Sequence, residues 1–88
     1  MDLGLKDKVA VVTGGSVGIG LSVAHGLAAE GVHVVICARD EERAKTEAAK
    51  IAEQHGVTAL GIKTDVTIPQ DIENLIGTVQ DEFGGADI

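Results

Sequence analysis

Short apolar runs alternate with longer amphipathic stretches along the chain, and this alternation most limits the folds that the sequence can adopt. The three apolar runs lie at residues 8–12, 33–38 and 58–64. After each run, apolar residues recur every three or four positions, as they do on one face of a helix. Strands that alternate with helices in this way predict a parallel sheet with right-handed crossovers.

The predicted fold class is α/β, the N-terminal part of a doubly wound parallel sheet of the Rossmann type. The expected strand order is 3-2-1, with the first two helices on one face and the third on the other. Residues 86–88 begin a fourth strand, which belongs beside the first. Without that strand the apolar first strand is an open edge, so we interpret residues 1–88 as the incomplete N-terminal portion of a single domain.

Composition excludes several classes of function. The 88 residues can form at most one small domain and would bury roughly 60–65% of their extended surface. Fourteen acidic and seven basic residues give a net charge of −7, which argues against nucleic acid and against an anionic membrane surface. A lone cysteine excludes an intrachain disulfide. No apolar stretch is long enough to span a membrane and no signal peptide is present, so we expect a cytoplasmic protein.

Residues that favour helix ends mark the boundaries of the second and third helices. Asp40 is placed to cap the second helix, and Gly56 to end it. Thr67 is the predicted cap of the third helix, with Gln70 completing a capping box and Pro69 in the first turn.

The most informative segment is the run T-G-G-S-V-G-I-G at residues 13–20, between the first strand and the first helix. Unpaired N–H groups and the positive end of the helix dipole make such a turn suitable for a phosphate, and glycines let the backbone approach it. The alternative is a structural turn that needs glycine for steric reasons and binds nothing.

This run resembles the T-G-x-x-x-G-I-G motif of the classical short-chain dehydrogenase/reductase (SDR) family, and the resemblance covers all 88 residues. The opening at residues 6–14, the Asp65-Val66 pair after the third strand and the run F-G-G-A-D-I at residues 83–88 are similar to family segments. The resemblance implies that Gly14, Ser16, Val17, Gly18 and Ile19 lie along a nicotinamide dinucleotide. Gly18 and Ile19 are then nearest its pyrophosphate.

The resemblance also implies an adenine site after the third strand. There Asp65 accepts a hydrogen bond from the adenine amino group, and the backbone of Val66 contacts the ring. The alternative for Asp65 is a turn residue that leads into the third helix.

Cofactor choice depends on the end of the second strand. Ala38 stands where NAD-dependent relatives carry aspartate, and Arg39 follows it. A guanidinium can bind the 2′-phosphate of NADP through two hydrogen bonds, so the prediction is NADP(H) in preference to NAD(H). Asp40 is a competing acid, which we assign to the helix cap. Val17 stands where the stronger NADP pattern often has a basic residue.

The family's catalytic groups are a Tyr, a Lys four residues later and a Ser, and this chain contains no Tyr. We therefore assign no catalytic residue and no metal ligand, and expect the chain alone to be inactive. The parent would be an NADP(H)-dependent oxidoreductase, homo-oligomeric, acting on a small carbonyl or alcohol. Two alternatives stay open: a dinucleotide-binding or sensing module without catalysis, and, less favoured because of Arg39, an adenosylmethionine-dependent methyltransferase.

Overall fold

The computed structural model describes residues 6–14 and 18–84, and in these segments strands and helices alternate as predicted. The ends of the three strands lie within one residue of the predicted runs. The predicted start of a fourth strand at Ala86 falls outside the described residues. The elements are β1 (Val9–Thr13), α1 (Gly18–Ala29), β2 (His33–Ala38), α2 (Glu41–His55), β3 (Ala59–Lys63) and α3 (Pro69–Phe83).

The three strands form one parallel sheet in the order β1-β2-β3. This is the predicted order 3-2-1 counted from the opposite edge, so the topology is confirmed. Val35 in the central strand is level with Val11 on one side and with Leu60 on the other. Because the strands are parallel, their carboxyl ends meet at the same edge of the sheet.

Apolar side chains cover both faces of the sheet, as the continuously apolar sequence of β2 requires. On one face, α1 and α2 pack through small residues, with Ala24, Ala28, Ala44 and Ala48 buried in the cluster that includes Ile36. On the other face, Val79 of α3 packs with Val9, Val35 and Cys37. The placement of α1 and α2 on one face and α3 on the other is therefore confirmed.

Helix α2 lies unusually close to β3. A Cβ atom added at Gly61 would overlap the backbone of Ala44 and Lys45. Glycine is thus required at this strand position by close approach of the helix, and not by its backbone conformation.

The predicted ends of α2 are confirmed. Oδ1 of Asp40 accepts the N–H of Arg43 at 3.1 Å, and Gly56 adopts a left-handed φ of 68° while its N–H donates to the carbonyl of Ala52. These contacts satisfy backbone groups that have no partner within the helix.

The predicted capping box of α3 is wrong. Ile68 is the N-cap residue and provides no side-chain hydrogen bond, although Pro69 does occupy the first turn. The Thr67 hydroxyl donates to Oδ1 of Asp65 at 2.6 Å, and the Gln70 amide donates to Asn74. Thr67 therefore closes the turn that precedes the helix and does not cap the helix itself.

The apolar stripe of α3 is only partly buried. Val79 is buried, whereas Ile72 and Ile76 are exposed. Within residues 6–14 and 18–84, none of the helices combines the length and the hydropathy that a membrane-spanning helix needs.

Candidate functional site

An open pocket of about 420 Å³ lies at the carboxyl ends of the strands. In open α/β sheets this edge is where ligands bind, because loops diverge there and leave a crevice. The pocket is lined by Thr13, Gly14, Cys37, Ala38, Arg39, Asp40, Arg43, Thr64 and Val66.

Gly14 extends the pairing of β1 with β2 by one step and then turns the chain away. Its N–H donates to the carbonyl of Cys37 at 2.8 Å, and its φ of 67° lies in the left-handed region that favours glycine. Apart from its chain neighbours, no described residue has an atom within 4 Å of a Cβ atom built at this position. The backbone of Gly14 is therefore open to a ligand, and glycine is needed here for its conformation.

Thr64 joins the end of β3 to β2 at the base of the pocket. Its N–H donates to the carbonyl of Ala38 at 2.8 Å, and its side chain is buried. Burial raises the pKa of the adjacent Cys37 thiol, and a side-chain hydrogen bond with Thr64 only partly opposes this effect. The thiol is thus neutral at physiological pH. Cys37 and Thr64 therefore contribute polar but uncharged groups to the pocket lining.

Asp65 is held in one position by the turn that follows β3. Its Oδ1 accepts the N–H of Thr67 at 2.9 Å and the Thr67 hydroxyl at 2.6 Å, and its own N–H donates to Oδ2 of Asp71. The two hydrogen bonds from Thr67 lower the pKa of this carboxyl, and the positive charge of Arg39 lowers it further. Asp65 is therefore a fixed, ionised hydrogen-bond acceptor beside the pocket.

Arg39 lies at the rim of the pocket, where β2 ends. Its side chain is 79% exposed, and its Nε lies 4.0 Å from Oδ2 of Asp65. The guanidinium thus places a positive charge at the mouth of the pocket, in a position that solvent and ligand can both reach.

The structure brings together four of the residues singled out from the sequence. Gly14, Arg39 and Val66 line the pocket, and Asp65 contacts Arg39. Gly18 and Ile19 begin α1 and are not among the lining residues. The predicted site residues Ser16 and Val17 lie outside the described residues.

The N-terminus of α1 is suited to an anion in a way that the start of α2 is not. The first turn of α1 contains no acidic residue, whereas Glu41 and Glu42 occupy the first turn of α2. The partial positive charge at Gly18 is therefore not offset by carboxylates of the helix itself.

Arg43 is a lining residue that the sequence interpretation missed. It lies in the first turn of α2, four residues after Arg39. The available signal was the R-x-x-x-R spacing, which puts a second arginine just after the capping residue Asp40. In the described segments, no three His, Cys, Asp or Glu side chains form a group that could hold a metal ion.

The model of the short-chain dehydrogenase family matches residues 8–88 of this sequence. The chain belongs to the short-chain dehydrogenase family. Galactitol 2-dehydrogenase from Agrobacterium fabrum is a similar member, 45% identical over 84 residues, which are 96% of this chain and 31% of that protein. Residues 8–88 thus carry the N-terminal strands and helices of a short-chain dehydrogenase.

Solved structures of family members have the same fold. L-Sorbose reductase from Gluconobacter frateurii, complexed with NADPH and L-sorbose, has a TM-score of 0.95 at 44% identity, over 99% of this chain and 33% of that chain. An alcohol dehydrogenase from the archaeon Thermococcus sibiricus, complexed with 5-hydroxy-NADP, has a TM-score of 0.88 at 33% identity, over 93% and 35%. The chain spans about a third of the length of these relatives.

Proposed function

We propose that residues 1–88 are the N-terminal cofactor-binding portion of an NADP(H)-dependent short-chain oxidoreductase. The observation that carries this proposal is Arg39 at the rim of the pocket, directly after Ala38 at the end of β2. A carboxylate at position 38 would accept hydrogen bonds from the ribose and repel a 2′-phosphate, and Ala38 cannot do either. An arginine at position 39 favours the phosphate instead.

The residues around the pocket fit an adenosine 2′-phosphate. Gly14 offers open backbone, and Asp65 is an ionised acceptor of the kind that an adenine amino group requires. Val66, with 60% of its surface exposed, provides an apolar contact for the ring. The start of α1 at Gly18, which lacks first-turn carboxylates, is where we place the pyrophosphate.

The similarity to L-sorbose reductase in complex with NADPH supports this choice of cofactor. When bound, the cofactor supplies a hydride that is exchanged with a carbonyl or alcohol carbon. The chain contains no Tyr, so we assign the proton transfer to residues that it does not include. Its own residues bind and orient the adenosine end, and we expect the isolated chain to be inactive.

The test compares NADPH with NADH in the full-length protein that carries these residues, as wild type and as Arg39→Asp. The wild type should bind NADPH at least about tenfold more tightly, because a charge-assisted phosphate contact contributes about 1.5–3 kcal/mol. Arg39→Asp should abolish this preference, because the variant loses the guanidinium and places a negative charge near the 2′-phosphate. Equal binding of both cofactors by the wild type would contradict the proposal, as would an unchanged preference in the variant.

A further inference from the structure

Arg43 lies on the wall of the same pocket as Arg39. It is the third residue of α2, and its backbone N–H donates to Oδ1 of Asp40 at 3.1 Å, which fixes the first turn of the helix. The end of β2 and the start of α2 thus each contribute one arginine to a space of about 420 Å³.

The charge of a 2′-phosphate exceeds what Arg39 alone can balance. A phosphate monoester carries about −1.5 to −2 charges at pH 7. Arg39 supplies one positive charge and already lies 4.0 Å from the carboxylate of Asp65. The partial positive charge at the start of α2 is opposed by the acidic residues of that turn. Among the described residues lining this pocket, Arg43 is the other cation.

We propose that Arg43 is a specificity-determining residue that shares the 2′-phosphate of NADP(H) with Arg39. This inference rests on the proposed function, because it assigns a second residue to the phosphate that distinguishes the two cofactors. Each guanidinium can donate paired hydrogen bonds to phosphate oxygens. Arg43 contacts no reacting atom in this arrangement, so its loss should act through the dissociation constant of NADPH.

The test measures dissociation constants of NADPH and NADH for Arg43→Gln, Arg43→Lys and Arg39→Ala in the full-length protein. Arg43→Gln should weaken NADPH binding about 5- to 50-fold and change NADH binding less than about twofold. Arg43→Lys keeps the charge and should recover part of the loss. The matched control is Lys50→Gln, which removes a positive charge from the same helix at a residue that does not line the pocket.

The ratio of the dissociation constants for NADPH and NADH distinguishes a loss of cofactor specificity from a loss of stability. A partly unfolded variant would bind both cofactors more weakly by the same factor, so the ratio would not change. If Arg39→Ala abolishes the preference and Arg43→Gln leaves it unchanged, the assignment of Arg43 is wrong while the proposed function stands. If the wild type itself shows no preference, the proposed function is wrong. An equal loss for both cofactors in Arg43→Gln and Arg43→Lys would show that Arg43 has only a structural role.

Discussion

The Nε atom of Arg39 lies 4.0 Å from Oδ2 of Asp65, so residues that follow two neighbouring strands meet at the mouth of one pocket. The arginine side chain is largely exposed, and ion pairs of this kind contribute little to folding stability. In the proposed cofactor site, both groups would face the ligand. There we assign Arg39 to a phosphate and Asp65 to an amino group.

The variant Asp65→Asn tests the lowered pKa of the Asp65 carboxyl, because that pKa makes stability depend on pH. The pKa of Asp65 is lowered in the folded chain, chiefly by hydrogen bonds from Thr67, so folding favours the ionised form. The resulting stabilisation is complete above the ordinary pKa of 3.8 and is lost as the pH falls through the lowered folded value. We expect wild type to melt above Asp65→Asn at neutral pH, with the difference disappearing in acid.

The matched control for that experiment is Glu53→Gln, which removes one negative charge at an exposed position of α2 away from the pocket. Melting temperatures of all three proteins are recorded from pH 7 to pH 2.5. A difference between wild type and Asp65→Asn that stays constant over the whole range would contradict the lowered pKa.

Gly61→Ala tests the close approach of α2 to β3. The new methyl group would overlap the backbone of Ala44 and Lys45, so the helix must move. Overpacking of this kind costs about 1–3 kcal/mol of unfolding free energy, measured by denaturant titration. Gly77→Ala is the matched control, because a Cβ built there meets no atom within 4 Å in the described part of the chain beyond its own helix backbone. Gly77→Ala should stabilise α3 by about 0.5–1 kcal/mol. A Gly61→Ala variant that is more stable than wild type, together with a Gly77→Ala variant that is less stable, would contradict the close packing of α2 on β3.

Asp40 can be tested separately as a helix cap and as a charge. Asp40→Ala removes the acceptor for the Arg43 N–H and should lower the unfolding free energy by about 1 kcal/mol, whereas Asp40→Ser keeps a capping oxygen. Both variants remove a negative charge from the pocket wall, so both should bind NADPH about two- to fivefold more tightly. Weaker NADPH binding by the well-folded Asp40→Ser would show that Asp40 assists the cofactor.

Local signals in the sequence were sufficient for most of the fold. The alternation of apolar runs and helical stripes predicts the sheet order, and Asp40 and Gly56 mark the ends of α2 because capping depends on neighbouring residues only. The prediction for Thr67 was wrong for a competing local reason. Asp65, two residues earlier, accepts the hydroxyl that a capping box would have used.

Other features depend on contacts that the sequence pattern does not specify. The apolar side chain of Ile19 in α1 is 85% exposed, and that of Ile76 in α3 is 59% exposed. Periodicity identifies an apolar face but cannot say which part of that face is covered. Arg43 was missed although the R-x-x-x-R spacing is visible in the sequence, because only the folded turn between β2 and α2 shows that both arginines line one pocket.

The most direct test of the account is an NMR titration of the full-length protein with 2′,5′-ADP and, in parallel, with 5′-AMP, which differ only in the 2′-phosphate. We predict that both ligands shift the amide resonances of Gly14 and Val66, and that only 2′,5′-ADP strongly shifts those of Arg39 and Arg43. Identical shift patterns and affinities for the two ligands, or shifts confined to residues outside the pocket, would contradict the proposed NADP(H) site.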